Sequence, residues 1–251
     1  MIRRFIFLIS FFGLMAMAAC DKDEVSEETF ITRGRELFNS EKFRCGQCHP
    51  NGDMDGKVWK LGFPPRAAAD SVATPSLLGV RDTPPYLWLG EGGSDIRELT
   101  KVVIDSIVKE TVTDEELDYL AAYQRSLVVP ANPWRNSDGS LTESQRRGKS
   151  VFENQGRCIN CHSGTAFTGQ FKIQIRVNTP PIDVPSLRWI FATAPYFHDH
   201  KSLSLADVIN YYADSVTTVQ MTTWGWNARG IYDIELSAQE RADLLEYLRS
   251  L

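Results

Sequence analysis

The pattern Cys-x-x-Cys-His occurs twice in this chain of 251 residues and constrains its fold more than any other feature. The copies are Cys45-Gly46-Gln47-Cys48-His49 and Cys158-Ile159-Asn160-Cys161-His162. This spacing is the signature of covalent c-type haem attachment. Two thiols one helical turn apart can each form a thioether with a haem vinyl group, and the adjacent imidazole then binds the iron. The sequence therefore predicts two covalent haems, attached at Cys45, Cys48, Cys158 and Cys161, with His49 and His162 as proximal iron ligands.

Cysteine pairs at this spacing also occur in thioredoxin-like redox centres and in zinc sites. A redox pair requires a βαβ setting, which neither motif has, and it has no use for the histidine. A four-cysteine zinc site would leave both histidines unexplained, and its motifs usually lie much closer in sequence. Haem attachment is favoured, with disulfides and zinc left as alternatives.

The N-terminus has the pattern of a bacterial lipoprotein signal. A basic start at residues 1–4 is followed by an apolar run at residues 5–17 and by Ala18-Ala19-Cys20. Such an arrangement is typical of a secretory signal, and the apolar run is short for a membrane span. We therefore expect residues 1–19 to be removed and Cys20 to be acylated. An ordinary signal peptide and an uncleaved anchor are the alternatives.

Export predicts a periplasmic or cell-envelope protein held to the membrane by its lipid. This location agrees with the haems, because bacteria attach c-type haem outside the cytoplasm. Loss of Arg3 and Arg4 with the signal changes the formal charge from −5 to −7. An acidic surface fits docking with a basic redox partner, and no basic patch indicates nucleic-acid binding.

The two motifs belong to a repeat that covers nearly the whole exported chain. Matching residues are Arg33-Gly34, Pro75-Ser76-Leu77 and Tyr123 in the first unit, and Arg147-Gly148, Pro185-Ser186-Leu187 and Tyr247 in the second. The offset between matches increases near the end, which predicts an insertion close to residues 215–230. The predicted organisation is a tether at 20–28, an N-terminal domain at 29–128, a linker at 129–141 and a C-terminal domain at 142–251.

Both units are predicted to be mainly α-helical, each a class I cytochrome c-like domain around one haem. Capping boxes that start helices occur at Thr113-Asp114-Glu115-Glu116, Thr142-Glu143-Ser144-Gln145 and Ser237-Ala238-Gln239-Glu240. No convincing strand alternation appears, so we expect no sheet.

In each unit Pro-Ser-Leu is followed by Thr-x-Pro-Tyr, at Thr83-Pro84-Pro85-Tyr86 and Thr193-Ala194-Pro195-Tyr196. With tandem cytochrome c domains, this pattern resembles the bacterial di-haem cytochrome c peroxidase/MauG superfamily, from about Arg33 to Leu251. The resemblance implies that hydrogen peroxide is reduced at an open N-terminal haem. Electrons would come from a small redox protein, a cytochrome c or a cupredoxin, through a six-coordinate C-terminal haem.

Distal iron ligands differ between the units. Tyr212 falls where the family's peroxidases carry an axial Met and MauG-type proteins an axial Tyr, whereas Met221, in the insertion, is a second candidate. Met54 is very close to His49 for reaching the opposite face of the first haem. The first haem is therefore predicted to be five-coordinate or water-ligated. Packing roles for Tyr212 and Met221 are the alternatives.

The resemblance also implies catalytic residues. Trp59 matches the family's electron-hopping Trp, with a role as an apolar wall of the first haem as the alternative. Glu110 matches the distal Glu, within a helix-like stretch where it would otherwise be solvated. Leu99 replaces the distal Gln, a departure from the family.

The family's interdomain calcium ion is bound by carbonyls matching Thr193 and Pro195 and by an Asn that matches Ala73, so the calcium ligand set is incomplete here. His198 and His200 are interpreted as residues on the haem-propionate side. Two other functions stay open: a membrane-tethered electron carrier without its own substrate, and a MauG-like oxidase of a partner protein, which an axial Tyr212 would favour.

Overall fold

The computed structural model describes residues 26–61, 72–174, 181–197, 200–214, 217–223, 226–232 and 234–251. The predicted signal peptide, Cys20 and His198 lie outside these ranges. Helix α1 begins at Glu27, so the last two residues of the predicted tether are helical. Ser26 caps this helix by accepting a hydrogen bond from the Thr29 amide, and the acidic Glu27 and Glu28 favour the start of a helix through its dipole.

In its described residues the N-terminal unit has four α-helices, α1 (Glu27–Phe38), α2 (Cys45–Cys48), α3 (Ile96–Val103) and α4 (Asp114–Ser126). Short 3-10 helices lie at Pro50–Gly52 and Val80–Asp82, and a π-helical turn, Ile104–Val108, continues α3. Helix α1 packs against α4. At their crossing a Cβ on Gly34 would lie 1.9 Å from the carbonyl oxygen of Tyr119, so only glycine allows this approach.

The C-terminal unit repeats this crossing with α5 (Glu143–Glu153) and α7 (Ala238–Arg249), while α6 (Leu205–Asp214) packs against α7. Two further 3-10 helices are Cys158–Asn160 and Ile190–Ala192. A Cβ on Gly148 would lie 1.9 Å from the carbonyl oxygen of Asp243. The repeated glycines therefore mark the same close contact between the first and last helix of each unit.

The repeat extends to the aromatic core. Phe38 meets Tyr123 edge to face at 5.1 Å between ring centroids, and Phe152 meets Tyr247 in the same way at 5.4 Å. The three predicted capping boxes are confirmed, since the side chains of Thr113, Thr142 and Ser237 each accept the amide three residues on and receive the reciprocal bond. The starts of these three helices are therefore determined by the local sequence.

The absence of strands was a wrong expectation. A small antiparallel pair joins β1 (Val58–Trp59) to β2 (Val72–Ala73), and a second sheet has the order β4-β3-β5-β6. Its strands are β3 (Lys172–Gln174), β4 (Ile182–Asp183), β5 (Thr217–Thr223) and β6 (Trp226–Tyr232). Strands β5 and β6 form a hairpin in the predicted insertion, and β5 is rich in β-branched Thr and Val, which favour strands.

The two units contact each other through loops. Arg188 donates to the carbonyl oxygen of Gly79 at 2.8 Å and forms an ion pair with Asp82 at 3.2 Å, while Gln170 donates to the Asp82 carbonyl. Gly79 has a φ of 72°, and a Cβ there would lie 2.7 Å from the Arg188 guanidinium. A glycine is therefore required where the second unit touches the first.

None of the helices in the described ranges is long and apolar enough to cross a membrane.

Candidate haem sites

The first motif forms the short helix α2, which follows Arg44 in the left-handed conformation at a φ of 53°. The His49 amide donates to the Cys45 carbonyl at 2.9 Å, so one tight turn brings both thiols and the imidazole together. Burial raises the pKa of the Cys45 thiol to about 11 and also raises the pKa of Cys48. Burial thus favours the neutral thiol over the thiolate at both cysteines.

The second motif has the same local geometry. Arg157 is left-handed at a φ of 52°, Cys158–Asn160 is a 3-10 helix, and the His162 amide donates to the Cys158 carbonyl at 2.8 Å. Burial raises the pKa of Cys158 to about 12 and raises that of Cys161. The repeated arginines before the motifs thus provide the same left-handed entry into each turn.

The two motif histidines differ in the hydrogen bonds formed at Nδ1. Nδ1 of His162 lies 3.1 Å from the carbonyl oxygens of both Phe167 and Pro185, so an Nδ1–H can donate there and leave the Nε2 lone pair for a metal. Nδ1 of His49 is buried without a hydrogen bond of comparable geometry, although the backbones of Pro75, the match of Pro185, and of Asp53 lie close enough to raise the pKa of its imidazole. Burial lowers the pKa of His49 to about 4 and also lowers that of His162, which keeps both imidazoles neutral, as iron ligation requires.

These groups fit covalent haem better than zinc. The four motif cysteines are not paired in disulfides. No group of three His, Cys, Asp or Glu side chains able to hold a metal ion occurs in the described part of the chain. The structure therefore does not assemble the four-cysteine zinc alternative.

The candidate ligands of the second haem lie on α6 and β5. Tyr212 packs, with Cys158, against the main apolar cluster of the C-terminal unit. Burial raises the pKa of Tyr212, and the charges of Tyr211, Cys161 and Cys158 add to this effect, so the phenol is within electrostatic reach of the second motif. Met221 pairs with Ile173 through its backbone; its side chain is outside the described atoms, and its ligand role stays a prediction.

In the corresponding stretch of the first unit, the buried side chain is apolar. The π-helical turn contains Ile104, which is 1% exposed and packs against the cluster formed by Phe38, Phe43, Leu117, Leu120 and Tyr123. Leu99, in place of the family's Gln, packs against the smaller cluster that contains Tyr86. These two positions provide apolar contacts rather than proton donors.

Glu110 was expected within a helix-like stretch, and this was wrong. The π-helical turn ends at Val108, and Lys109 is left-handed at a φ of 64°, which ends the helix before Glu110. The Glu110 side chain is exposed. Its role as a distal acid stays a prediction that its position does not favour.

Of Trp59 and Trp88, only Trp88 is seen to contact the second unit, whereas Trp59 was the expected one. The indole of Trp59 donates within its own unit, to Asp55 and Thr74, both at 3.1 Å. Trp88 donates to the Ala73 carbonyl at 3.2 Å, while its own carbonyl accepts the Asp183 amide of the second unit at 3.2 Å. Sequence reasoning missed Trp88, although it follows the first Thr-x-Pro-Tyr motif by two residues.

The ring of Trp88 also meets His200 edge to face, with 5.9 Å between centroids. His200 therefore lies at the contact between the units. Ala73, in place of the calcium-binding Asn, is buried at 4% exposure, and its carbonyl is the acceptor for Trp88. The proposed calcium site stays untested.

The fold and the paired motifs define a c-type cytochrome, and residues 145–251 match the family model described as Cytochrome c. The chain is 27% identical over 268 residues to hydrazine synthase subunit gamma of Kuenenia stuttgartiensis, covering 83% of this chain and 72% of that protein. It is 28% identical to MauG of Methylophilus methylotrophus, covering 59% and 48% of the two chains. Identity to cytochrome-c peroxidase IdrP1 of Pseudomonas sp. is 25%, with 53% and 48% covered.

Together, these comparisons identify the chain as a member of the di-haem cytochrome c peroxidase/MauG superfamily, with haem c as its cofactor. It spans about half the length of the MauG and IdrP1 relatives. Its fold also matches a chain of K. stuttgartiensis hydrazine synthase, with a TM-score of 0.69 at 22% identity over 99% of both chains. A MauG-like protein associated with microbial copper homeostasis gives a TM-score of 0.65 at 20% identity, over 93% of this chain and 91% of that one.

Proposed function

We propose that this protein is an exported di-haem cytochrome that reduces hydrogen peroxide at its N-terminal haem, with electrons relayed through its C-terminal haem. Cys45, Cys48 and His49 would hold the first haem, and Cys158, Cys161 and His162 the second. The haem, when bound, supplies the iron at which the O–O bond of peroxide is cleaved. The polypeptide supplies the proximal imidazoles, the apolar walls and the contact between the units.

The main support for this proposal is that only the second unit offers a candidate distal iron ligand at the matching position. The second unit offers Tyr212 near its motif, with Met221 as the other candidate, whereas the matching stretch of the first unit contains no Met, His or Tyr. An open coordination position is what a peroxide-binding iron needs, and a six-coordinate iron is suited to electron storage. The buried Ile104 belongs to the apolar cluster against which Cys45 packs, and its side chain cannot ligate iron.

Electron relay between the units is better supported for Trp88 than for Trp59. Trp88 contacts the second unit through both Asp183 and His200, whereas the hydrogen bonds of the Trp59 indole stay within the first unit. Trp88→Phe is expected to slow electron exchange between the haems, and Trp59→Phe serves as the matched control. Equal effects of the two substitutions would contradict this assignment.

Spectroscopy of the purified protein tests the main proposal. The pyridine haemochrome spectrum gives the number of haems, and EPR of the half-reduced protein shows whether one haem is high-spin. Peroxide added to that state should change the spectrum of the high-spin haem and be consumed. Two low-spin haems that are inert to peroxide would contradict the peroxidase proposal.

A membrane-tethered electron carrier without its own substrate is the second candidate. The exposed Glu110 and the apolar Leu99 favour it, because peroxide cleavage benefits from a distal acid–base group. A MauG-like oxidation of a partner protein is the third, and an axial Tyr212 would favour it. The same spectra separate these functions, since the carrier requires two low-spin haems and the MauG-like enzyme requires a reactive one.

The proposed location is the periplasm or cell envelope, with attachment through lipid on Cys20. Mass spectrometry of the mature N-terminus and fractionation of Cys20→Ala test this directly. Release of the variant into the soluble fraction is expected, and an unchanged membrane association would contradict it.

A further inference from the structure

An aromatic chain runs through the C-terminal unit to its surface. The rings of Trp189 and Phe191 meet edge to face at 4.6 Å between centroids, and Phe191 meets Trp134 at 6.2 Å. Both separations lie in the range of direct aromatic contact. Trp134 is 43% exposed, so the chain ends in contact with solvent.

The inner end of this chain, Trp189, lies four residues after Pro185, whose carbonyl oxygen is 3.1 Å from Nδ1 of His162. Phe191 packs against the same apolar cluster as Cys158. Trp189 directly follows Arg188, whose guanidinium reaches Gly79 of the first unit. The three rings thus connect the surface to the region where the second haem would be attached.

The outer end of the chain, Trp134, is fixed by hydrogen bonds although it lies in an exposed loop. The Trp134 amide donates to the Asn132 side chain at 2.8 Å, and its carbonyl accepts a 2.6 Å hydrogen bond from Gln145, which is 1% exposed. The Arg249 guanidinium lies 5.0 Å from the centroid of the Trp134 ring. A fixed, exposed Trp beside an Arg is the composition of a binding hot spot.

Two guanidinium groups lie beside Trp134, although the chain as a whole is acidic. Arg135 donates to the carbonyl oxygens of Ser250 and Gly139, and it forms no ion pair among the described residues. Arg249, over the Trp134 ring, adds a second guanidinium, one that pairs with Glu246 at 2.7 Å. The charge beside Trp134 therefore favours a partner with an acidic face.

We propose that Trp134 is the electron-entry point of the second unit, where a one-electron donor protein with an acidic face docks and passes its electron along Phe191 and Trp189. One electron would leave the donor, which is oxidised, and would reduce to the ferrous state the ferric iron of the haem that His162 would hold. This inference rests on the second haem of the proposed function, but not on peroxide chemistry.

The test injects electrons at a known place in the haem-loaded protein. A ruthenium photosensitiser is attached to Ser137→Cys, in the same loop as Trp134, and the ferric-to-ferrous change is followed optically after a flash. Photoexcited ruthenium(II) becomes ruthenium(III) as the haem is reduced. In Trp134→Leu the injection rate is expected to fall by an order of magnitude, and Phe191→Leu should also slow it.

The control carries the same label at Leu203→Cys, a position that is 76% exposed in the loop before α6. Injection from there should not change in Trp134→Leu. Equal rates with and without Trp134 from the label at 137, or an equal fall from both labels, would overturn the proposal. If Trp134→Leu does not retain both haems, Trp134→Phe keeps the test decisive, since only a structural role predicts a wild-type rate for it.

The charge of the partner is tested with two probe proteins. Reduced plastocyanin, an acidic cupredoxin, should reduce the second haem faster than a basic cytochrome c does, and salt should slow it. The opposite order would overturn the acidic-partner assignment. A haemochrome count of one haem would instead contradict the proposed function itself.

Discussion

Substitution of Gly148 by alanine tests the helix crossing that organises each unit. Intrinsic helix propensity predicts that alanine stabilises a helix by about 1 kcal/mol relative to glycine. The crossing predicts the opposite, because the new Cβ would lie 1.9 Å from the Asp243 carbonyl oxygen and 2.8 Å from the Tyr247 Cβ. The sign of the stability change therefore separates the two effects.

The magnitude follows from the contact. Real Cβ atoms are essentially never found within 3.0 Å of such neighbours, so α5 and α7 must separate by more than an ångström. The obstructing atom belongs to the backbone and cannot move aside as a side chain would. Overpacking of this kind costs about 3 kcal/mol, the upper end of the usual range, which outweighs the gain in propensity.

Denaturant unfolding of the haem-loaded protein, followed by far-UV circular dichroism, measures the change. Ser150→Ala, on the exposed side of the same helix, is the control and should change the free energy of unfolding by a few tenths of a kcal/mol at most. Gly34→Ala should reproduce the loss in the first unit, where the Tyr119 carbonyl takes the place of Asp243. A neutral or stabilising Gly148→Ala would refute the close crossing.

Three further outcomes are expected. The Arg147 guanidinium holds the pKa of Asp243 at about 2. The stability that this ion pair contributes is therefore lost as the pH falls from about 4 to about 2. The unfolding midpoints of the wild type and of Asp243→Asn should converge over that range. Burial raises the pKa of Asp183 to about 7. The free energy of unfolding therefore decreases as the pH rises from about 4 to about 7. Asp183→Asn should be more stable than the wild type at pH 8 but not near pH 4. Tyr212→Phe should change the optical spectrum of the second haem while Met221→Leu does not, and the reverse result would assign the ligand to Met221.

Local sequence determines the elements that were predicted correctly. Each capping box needs only four consecutive residues. Gly34 and Gly148 were matched as part of the repeat, although no helix crossing was predicted from them. The duplication made these signals visible, because two weak patterns at matching positions support each other. For the same reason the mainly helical fold class is confirmed.

The features that were missed depend on contacts between distant residues. The pairing of β3 with β5 joins Ile173 to Met221 across the chain, and a two-residue strand such as β4 carries no periodic signal of its own. Trp88 gains its position from Asp183 and His200 in the other unit, which no local pattern encodes. The helix ends before Glu110 because Lys109 is left-handed, a conformation for which the sequence gives no signal.

The hydrogen bond between Arg188 and Gly79 joins equivalent loops of the two repeated units. Each residue comes shortly after the Pro-Ser-Leu motif of its own unit, so equivalent loops of the two copies meet. Like-with-like contact is the rule at the interface of a two-fold symmetric dimer. The tandem chain is in this respect a covalently joined dimer. The two copies differ at the contact itself, because Arg188 of the second copy corresponds to Leu78 of the first.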